Sequence, residues 1–470
     1  MPDVSEQRAL KRSLSPVHVW SLAFGCIIGW GAFMMPGTTF LPTAGTLGTT
    51  VAMVLGALIM IVIAFSYSYM VPRYPQAGGG FTFARECFGR HHAFLCGWFL
   101  ALAYVANVPM NSTALGLMTR KLFFGVFQFG KMYRVAGYDI WLGEVLLALA
   151  VLGLFAFLSI RGVRKSGVVQ TLMAFSLAGA FLIIVVSTFF SPVTQWSNLK
   201  PFWGPLADPS NAEIWRGVLA IVAVAPWAYV GFDTIPQAVE EFRFSSRRVN
   251  GIMIGAIAFG CLVYSCNNLV TAAASPDWTA FIESHDWAVG AAVEALMGKT
   301  GLVALGVAIA CAILTGILGF LSATSRLLMS MARDGYVPRW FAHVHPKYRT
   351  PSHAILFCLA VSVVGPWFGR TALGWFVDMS AIGAAIGFGY TTASCFATLV
   401  RTRELGRRPA LACSAALGTV FSLGFVVFLL TPGLPGCLGT ESYVMLFVWT
   451  AMGLVFYGTQ RGRIKEGGCK

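Results

Sequence analysis

The 470-residue chain is 57% hydrophobic and only 11% charged, with a mean hydropathy of +0.72. That balance excludes a water-soluble fold and makes lipid the solvent. The net charge of +14 does not call for nucleic acid, because basic loops beside an anionic leaflet are what membrane insertion selects.

A spanning helix needs about 20 apolar residues. In chain order such stretches fall at roughly 17–41, 47–71, 93–118, 143–160, 167–190, 213–238, 250–274, 301–328, 352–369, 375–400, 409–431 and 441–459, predicting an all-α polytopic membrane protein of twelve spans. The leader Met1–Ser15 is polar and basic, and the apolar run after it is too long for a signal-peptide core, so the first span is expected to stay in the mature protein. Charges and prolines gather in short segments between spans, leaving no separate soluble domain. The expected organisation is a tail at 1–16, two five-span blocks at 17–190 and 213–400, an appended pair at 409–459 and a second tail at 460–470. Of the 33 Lys and Arg, 25 fall on the side of the N-terminus, which predicts a multi-pass protein of the cell membrane with both termini cytoplasmic. Four of the other eight (Arg120, Lys121, Lys131, Arg134) share one outer loop. The eleven cysteines are scattered, several inside spans (Cys26, Cys261, Cys311, Cys395), with no zinc-ligand spacing. No metal or cofactor is expected.

Two spans are interrupted. The first reads SLAFGCIIGWGAFMMPG, with Gly25, Gly29, Gly31 and Pro36; the sixth reads VAVAPWAYVGFDTIPQAVEE, with Pro226, Gly231 and Pro236 around Asp233. A broken span is tolerated in lipid only where the freed backbone faces protein, water or a ligand. Spans one and six correspond if the chain is two blocks of five, and five being odd, the second block is inverted. Paired broken helices in inverted repeats point to a transport site between them. The half-helix after a break exposes amides and suits a carboxylate; the half-helix before it exposes carbonyls and suits an ammonium. The carboxylate is assigned to amides around Gly29, Trp30 and Gly31, and the ammonium to carbonyls around Cys26, Ile27, Trp227 and Val230. An isolated glycine in a membrane helix more often serves close packing; the clustering of Gly with Pro at matched positions sets these two spans apart.

Asp233 is the one acid found deep in an apolar span by this reading. It either marks a pathway or proton relay, or accepts bonds from an unwound backbone or a loop Arg. Trp227, Tyr229 and Phe232 either wall a pocket or pack as core, and Asn107 and Asn111, flanking Pro109 in the third span, carry the same alternatives. Glu240 and Glu241 read as loop ion pairs.

Four segments, GCIIGWGAFMMPG, YPQAGGGFTFARECFG, PWAYVGFDTIPQAVEEF and ATSRLLMSMARDGYVPRWFAHVHPKYRTP, spread in order over roughly 17–351, resemble the amino acid–polyamine–organocation superfamily of permeases. The resemblance implies a LeuT-type fold, with ten core spans in two inverted five-helix repeats, broken first and sixth helices and two peripheral helices, and secondary transport of amino acids or amines. It also implies that the carboxylate meets the first-span break and the ammonium the carbonyls of both breaks, that Trp227 is an aromatic gate over substrate, and that Asp233 holds a gating or proton-sensing position. Two departures stand out. Trp30 replaces a small residue between the two glycines, and no charged residue falls from Ser166 through Asn198, where many relatives carry a Lys in the place of a sodium ion.

A sodium site without that Lys would use first-span carbonyls with Ser322, Thr324 and Ser325 of the eighth span, although such hydroxyls more often bond their own helix. Exchange or proton coupling is the preferred expectation, with a sodium-coupled symporter or a permease-like sensor as alternatives. In ARDG at 332–335, Asp334 either pairs with an arginine in a cytoplasmic gate or marks a helix stop. An enzyme is not expected, because nucleophiles and paired carboxylates do not gather at one depth. The expected partners are a small amino acid or amine and the bilayer; a homo-oligomer or accessory subunit is left open.

Overall fold

The computed structural model describes residues 10, 12–122, 125–204, 208–434 and 436–460. The expected 460–470 tail after Gln460, and most of the 1–16 tail, lie outside these residues. The chain runs α1 (Pro16–Ile27), α2 (Gly31–Met35), a π turn (Pro36–Phe40), α3 (Leu41–Met70), α4 (Gly80–Phe88), α5 (Arg90–Leu122), β1 (Lys131–Val135), β2 (Tyr138–Trp141), α6 (Leu142–Arg161) and α7 (Val163–Phe190). It continues with α8 (Asn211–Val222), α9 (Ala225–Ala228), a 3-10 segment (Phe232–Glu241), α10 (Val249–Ala273), α11 (Trp278–Ser284), α12 (Ala288–Arg333), α13 (Ser352–Ser362), α14 (Thr371–Arg401), α15 (Pro409–Leu430) and α16 (Thr440–Gln460). Among the described residues the helices are joined by one antiparallel hairpin, β1–β2, formed by the loop that carries Lys131 and Arg134, and by an isolated bridge between Leu14 and Phe242.

Among the described residues, ten helices are long and apolar enough to cross a membrane. The expected first span is divided between the short α1 and the start of a 40-residue helical run, Gly31–Met70. The ninth is a shorter apolar helix, Ser352–Phe368. The run 31–70 turns at Gly45, whose φ of +71° would strain an L residue and whose Cβ would collide with the Gly204 amide. The expected eighth span, 301–328, is the inner part of the longer α12, which bends at Gly298 (φ +63°). α5 is buried along most of its length and packs on α12 and α14, whereas α16 is largely exposed to the surroundings. α16 is pinned through Trp98 and Trp449, whose rings stack at 4.6 Å while each indole donates to the other's carbonyl.

Both described ends of the chain lie on one face. Ser13 and Leu14 donate to the Glu241 carbonyl at 2.9 Å, Arg243 donates back to the Leu14 carbonyl at 3.0 Å, and Tyr457 of α16 meets His91 at the start of α5. Glu241 corrects the loop-pair expectation: it is 0% exposed and receives Arg326 of α12 at 2.7 and 2.9 Å, a bidentate pair. Glu240, with Arg333 at 3.1 Å, remains a partly exposed pair. The reason is that the sixth span continues as a 3-10 segment whose two final acids point apart, one inward and one to the rim. Asp233 is therefore not the single buried acid among the described residues. Breaking a buried pair strands a charge: Arg326→Leu should cost about 3–5 kcal/mol and lower the melting temperature in detergent more than Glu241→Leu with Arg326→Leu together. Equal losses from both would show that stranded charge is not the issue.

Candidate functional site

In the first span, α1 ends at Ile27, and Ile28 closes its last turn with a 2.9 Å bond to the Phe24 carbonyl. Gly29 and Trp30 then bridge to α2, and among the described residues their amides donate to nothing within the chain. The carbonyls around the break are met by side chains from other helices. Thr315 of α12 donates to Gly25 O (3.1 Å), Tyr264 of α10 to Ile27 O (3.3 Å), Asn267 of α10 to Ala32 O (2.8 Å) and Trp287 to Phe33 O (3.1 Å).

In the sixth span, Pro226 stands in the first turn of the four-residue α9, which ends at Ala228. Tyr229 and Val230 lead to Gly231, whose φ of +142° starts the 3-10 segment. The N-terminal half-helix expected after this break is thus 3-10 rather than α. Asp233 is 1% exposed and folds back on the break: Oδ1 accepts the Gly231 amide at 2.9 Å, and Oδ2 accepts the Tyr104 hydroxyl of α5 at 2.9 Å. Asp233 thus bonds to unwound backbone, with a tyrosine rather than a loop arginine beside it.

The two breaks touch. A Cβ on Gly231 would stand 2.8 Å from Cys26 Cβ and from the Ile27 amide nitrogen, and a Cβ on Gly31 would overlap the Trp227 ring. Both glycines are required by close approach, not only by helix packing. The Trp30 and Trp227 rings lie 6.4 Å apart. Trp30 Nε1 and Asn111 Oδ1 are buried without a partner, and Asn111 Oδ1 is 3.5 Å from where a Cβ on Gly29 would be. Asn107 is turned elsewhere, donating to Ser380 of α14 at 2.7 Å.

Four other expected residues are placed differently. Tyr229 points away from the break: its hydroxyl donates to Met53 O of α3 at 2.8 Å, and its ring meets Tyr264. Ser322 lines a crevice with Leu14, His18 and Leu22 at the beginning of α1. Thr324 and Ser325 donate to Phe320 O and Ser322 O of their own helix. The α12 hydroxyl that reaches the first-span break is Thr315, about two helical turns earlier. Sequence reasoning also missed Gln170 of α7, whose carboxamide donates to Ser21 O (3.4 Å) and Thr315 O (3.2 Å). The available signal was a lone amide one turn inside an apolar span.

Trp30 floors a cavity of about 740 Å³ with Met34, Met35, Leu117 and Leu373, and Arg120, Lys121, Arg370, Asp286 and Asp378 stand higher on its walls. It lies toward the face opposite the termini. The termini-bearing face is closed by Glu241–Arg326, Glu240–Arg333 and Asp334 with Arg85 of α4. An arginine that pairs with Asp334 thus comes from the segment between the second and third spans. Burial works against the Arg85 charge, but Asp334 and Glu86 outweigh it and hold the guanidinium above its ordinary pKa.

Residues 14–456 match the amino acid permease family model. The chain is 25% identical to the methylthioribose transporter of Bacillus subtilis (strain 168) over 465 residues, covering 96% of this chain and 94% of that protein. It is also 25% identical to the branched-chain amino acid permease BcaP of the same organism, over 96% of this chain and 94% of the permease. The serine/threonine exchanger SteT of that organism is 25% identical over 77% of each chain.

Gly31→Ala forces a methyl into the Trp227 ring, an overpacking worth about 1–3 kcal/mol. It should sharply reduce uptake and ligand-dependent thermal stabilisation, with partial recovery in Gly31→Ala/Trp227→Phe. Wild-type uptake by the single variant would contradict the close approach.

Proposed function

Because the chain belongs to the amino acid permease family, we propose that it is a secondary transporter of amino acids or related amines that works by alternating access at the two touching breaks. The observation that carries this reading is the packing of Gly231 on Cys26 and Ile27 and of Gly31 beneath Trp227, with the Gly29 and Trp30 amides left without a partner. In this reading the substrate carboxylate takes those amides, joined by Gly31, and the ammonium takes carbonyls of Cys26, Ile27, Trp227 and Val230. Trp30 and Trp227 close over it.

The same reading includes two inverted five-helix repeats of the LeuT type, twelve spans with α15 and α16 peripheral, and cytoplasmic termini in the cell membrane. The cavity above Trp30 is then the outward entrance, and the ion pairs around Asp334 and Glu241 are the inward closure. Substrate bound at the touching breaks lets the outer cavity narrow and the inner pairs part.

Exchange is the favoured coupling. Gln170 holds α1 and α12 together with a neutral carboxamide, so this brace needs neither a proton nor a sodium ion to keep its geometry. Thr315 already gives its proton to backbone carbonyls there.

Uptake of a labelled amino acid panel into proteoliposomes, with and without internal amino acid, a proton gradient or sodium, tests the reading. Stimulation by internal amino acid alone is expected; dependence on an ion gradient would replace exchange with symport. Thermal stabilisation by a ligand with no flux would favour a sensor. Asp334→Asn weakens the pair with Arg85 and should alter flux several-fold, about 1 kcal/mol in barrier, with KM little changed; an unaltered flux would remove Asp334 from the gate.

A further inference from the structure

On the termini side of the sixth-span break, the 3-10 segment carries Gln237, which is 0% exposed. Neither its carboxamide nitrogen nor its oxygen reaches a hydrogen-bond partner within the chain. The neighbouring Tyr104 hydroxyl gives its proton to Asp233, so it has none for the carboxamide oxygen. An amide that the protein leaves unmet at both ends is costly in a dry interior, so its two polar atoms are open to a further partner. The Tyr67 hydroxyl, on a ring between Phe83 of α4 and Phe232, is buried without a partner as well.

What covers Gln237 is the bare backbone of residues 77–80. A Cβ on Gly79 would stand 2.9 Å from Gln237 Nε2 and 3.1 Å from Pro236 Cβ, at a φ of +50°. A Cβ on Gly78 would lie 2.7 Å from Ser330 Oγ, and one on Gly80 2.9 Å from Thr391 Oγ1. Three consecutive glycines therefore let one turn seat among the 3-10 segment, α12 and α14. It is held there by the Ala77 amide on Glu240 Oε1 (3.0 Å) and by the Ser330 hydroxyl on Ala77 O (2.6 Å). Polar bonds at the rim can be exchanged for water when the turn lifts, whereas an apolar plug would expose greasy surface.

We propose that residues 77–80 plug an exit path on the termini-bearing face, and that Gln237 is the residue the substrate meets as it leaves through that path. A carboxamide offers a donor for a carboxylate and an acceptor for an ammonium, so it suits a zwitterion without a charged side chain in the path. This rests on the transport reading above.

The test compares initial rates in right-side-out and inside-out membrane vesicles for the wild type, Gln237→Leu and Gln237→Asn. Loss of a hydrogen-bonding contact should raise KM about tenfold for Gln237→Leu from the termini-bearing face, against less than about twofold from the opposite face. Gln237→Asn, which keeps both polar atoms, should recover part of the loss. Equal shifts from both faces, or no shift, would overturn the proposal and leave Gln237 a packing residue. Absence of flux in the wild type from either face would instead remove the transport reading itself.

Discussion

Backbone groups in a lipid interior have no water to turn to, and the arrangement of this molecule follows from how two interrupted helices meet that demand. The break in the first span frees carbonyls on both sides, and four side chains from elsewhere in the chain are brought in to meet them: Thr315, Tyr264, Asn267 and Trp287. The sixth-span break is closed by its own Asp233, with Tyr104 steadying the carboxylate. Among the described residues, the amides of Gly29, Trp30 and Gly31 donate to nothing within the chain. Such donors at a helix start are the groups to which the proposed transport reading assigns a carboxylate.

The two faces of the molecule are built on different principles. Opposite the termini, a wide cavity reaches down to the Trp30 ring, and the charges stand along its walls. On the termini side, the same helices are tied by ion pairs that range from fully buried to rim-exposed. A buried pair such as Glu241–Arg326 is costly to desolvate but strongly resists loss of either partner, which makes it a device for defining one arrangement rather than a large source of stability. The N-terminal segment at Ser13 and Leu14 joins this closure through backbone bonds to Glu241, so closure couples the beginning of α1 directly to the end of the sixth span.

Trp30 shows how a substitution within a motif changes the site without dismantling it. The backbone amide that the motif supplies is kept, because any residue carries one. The indole adds a ring that lines the cavity opposite the termini and stands 6.4 Å from Trp227. Its own N–H is buried and unmet, as is Asn111 Oδ1 across from Gly29, so the lining of the break offers hydrogen-bonding groups beyond those a bare zwitterion uses.

The sequence by itself determined the solvent, the helical class, the two broken spans and the segments shared with the permeases, because each is a local property: hydropathy summed over a window, or Gly and Pro clustered within one turn. It also located Gly31 and Gly231, since close approach demands the missing Cβ at those points. Only the tertiary structure decided which side chains serve the breaks. Thr315 rather than Ser322 reaches the first-span break, Gln170 rather than a lysine braces it, Tyr229 turns toward α3, Glu241 is buried while its neighbour Glu240 is not, and Asp334 finds Arg85 some 250 residues earlier in the chain. Those outcomes depend on helix rotation and on where distant spans cross. A shift of one residue turns a helical side chain by about 100°, and nothing in the local pattern of apolar residues records which neighbour it will then face.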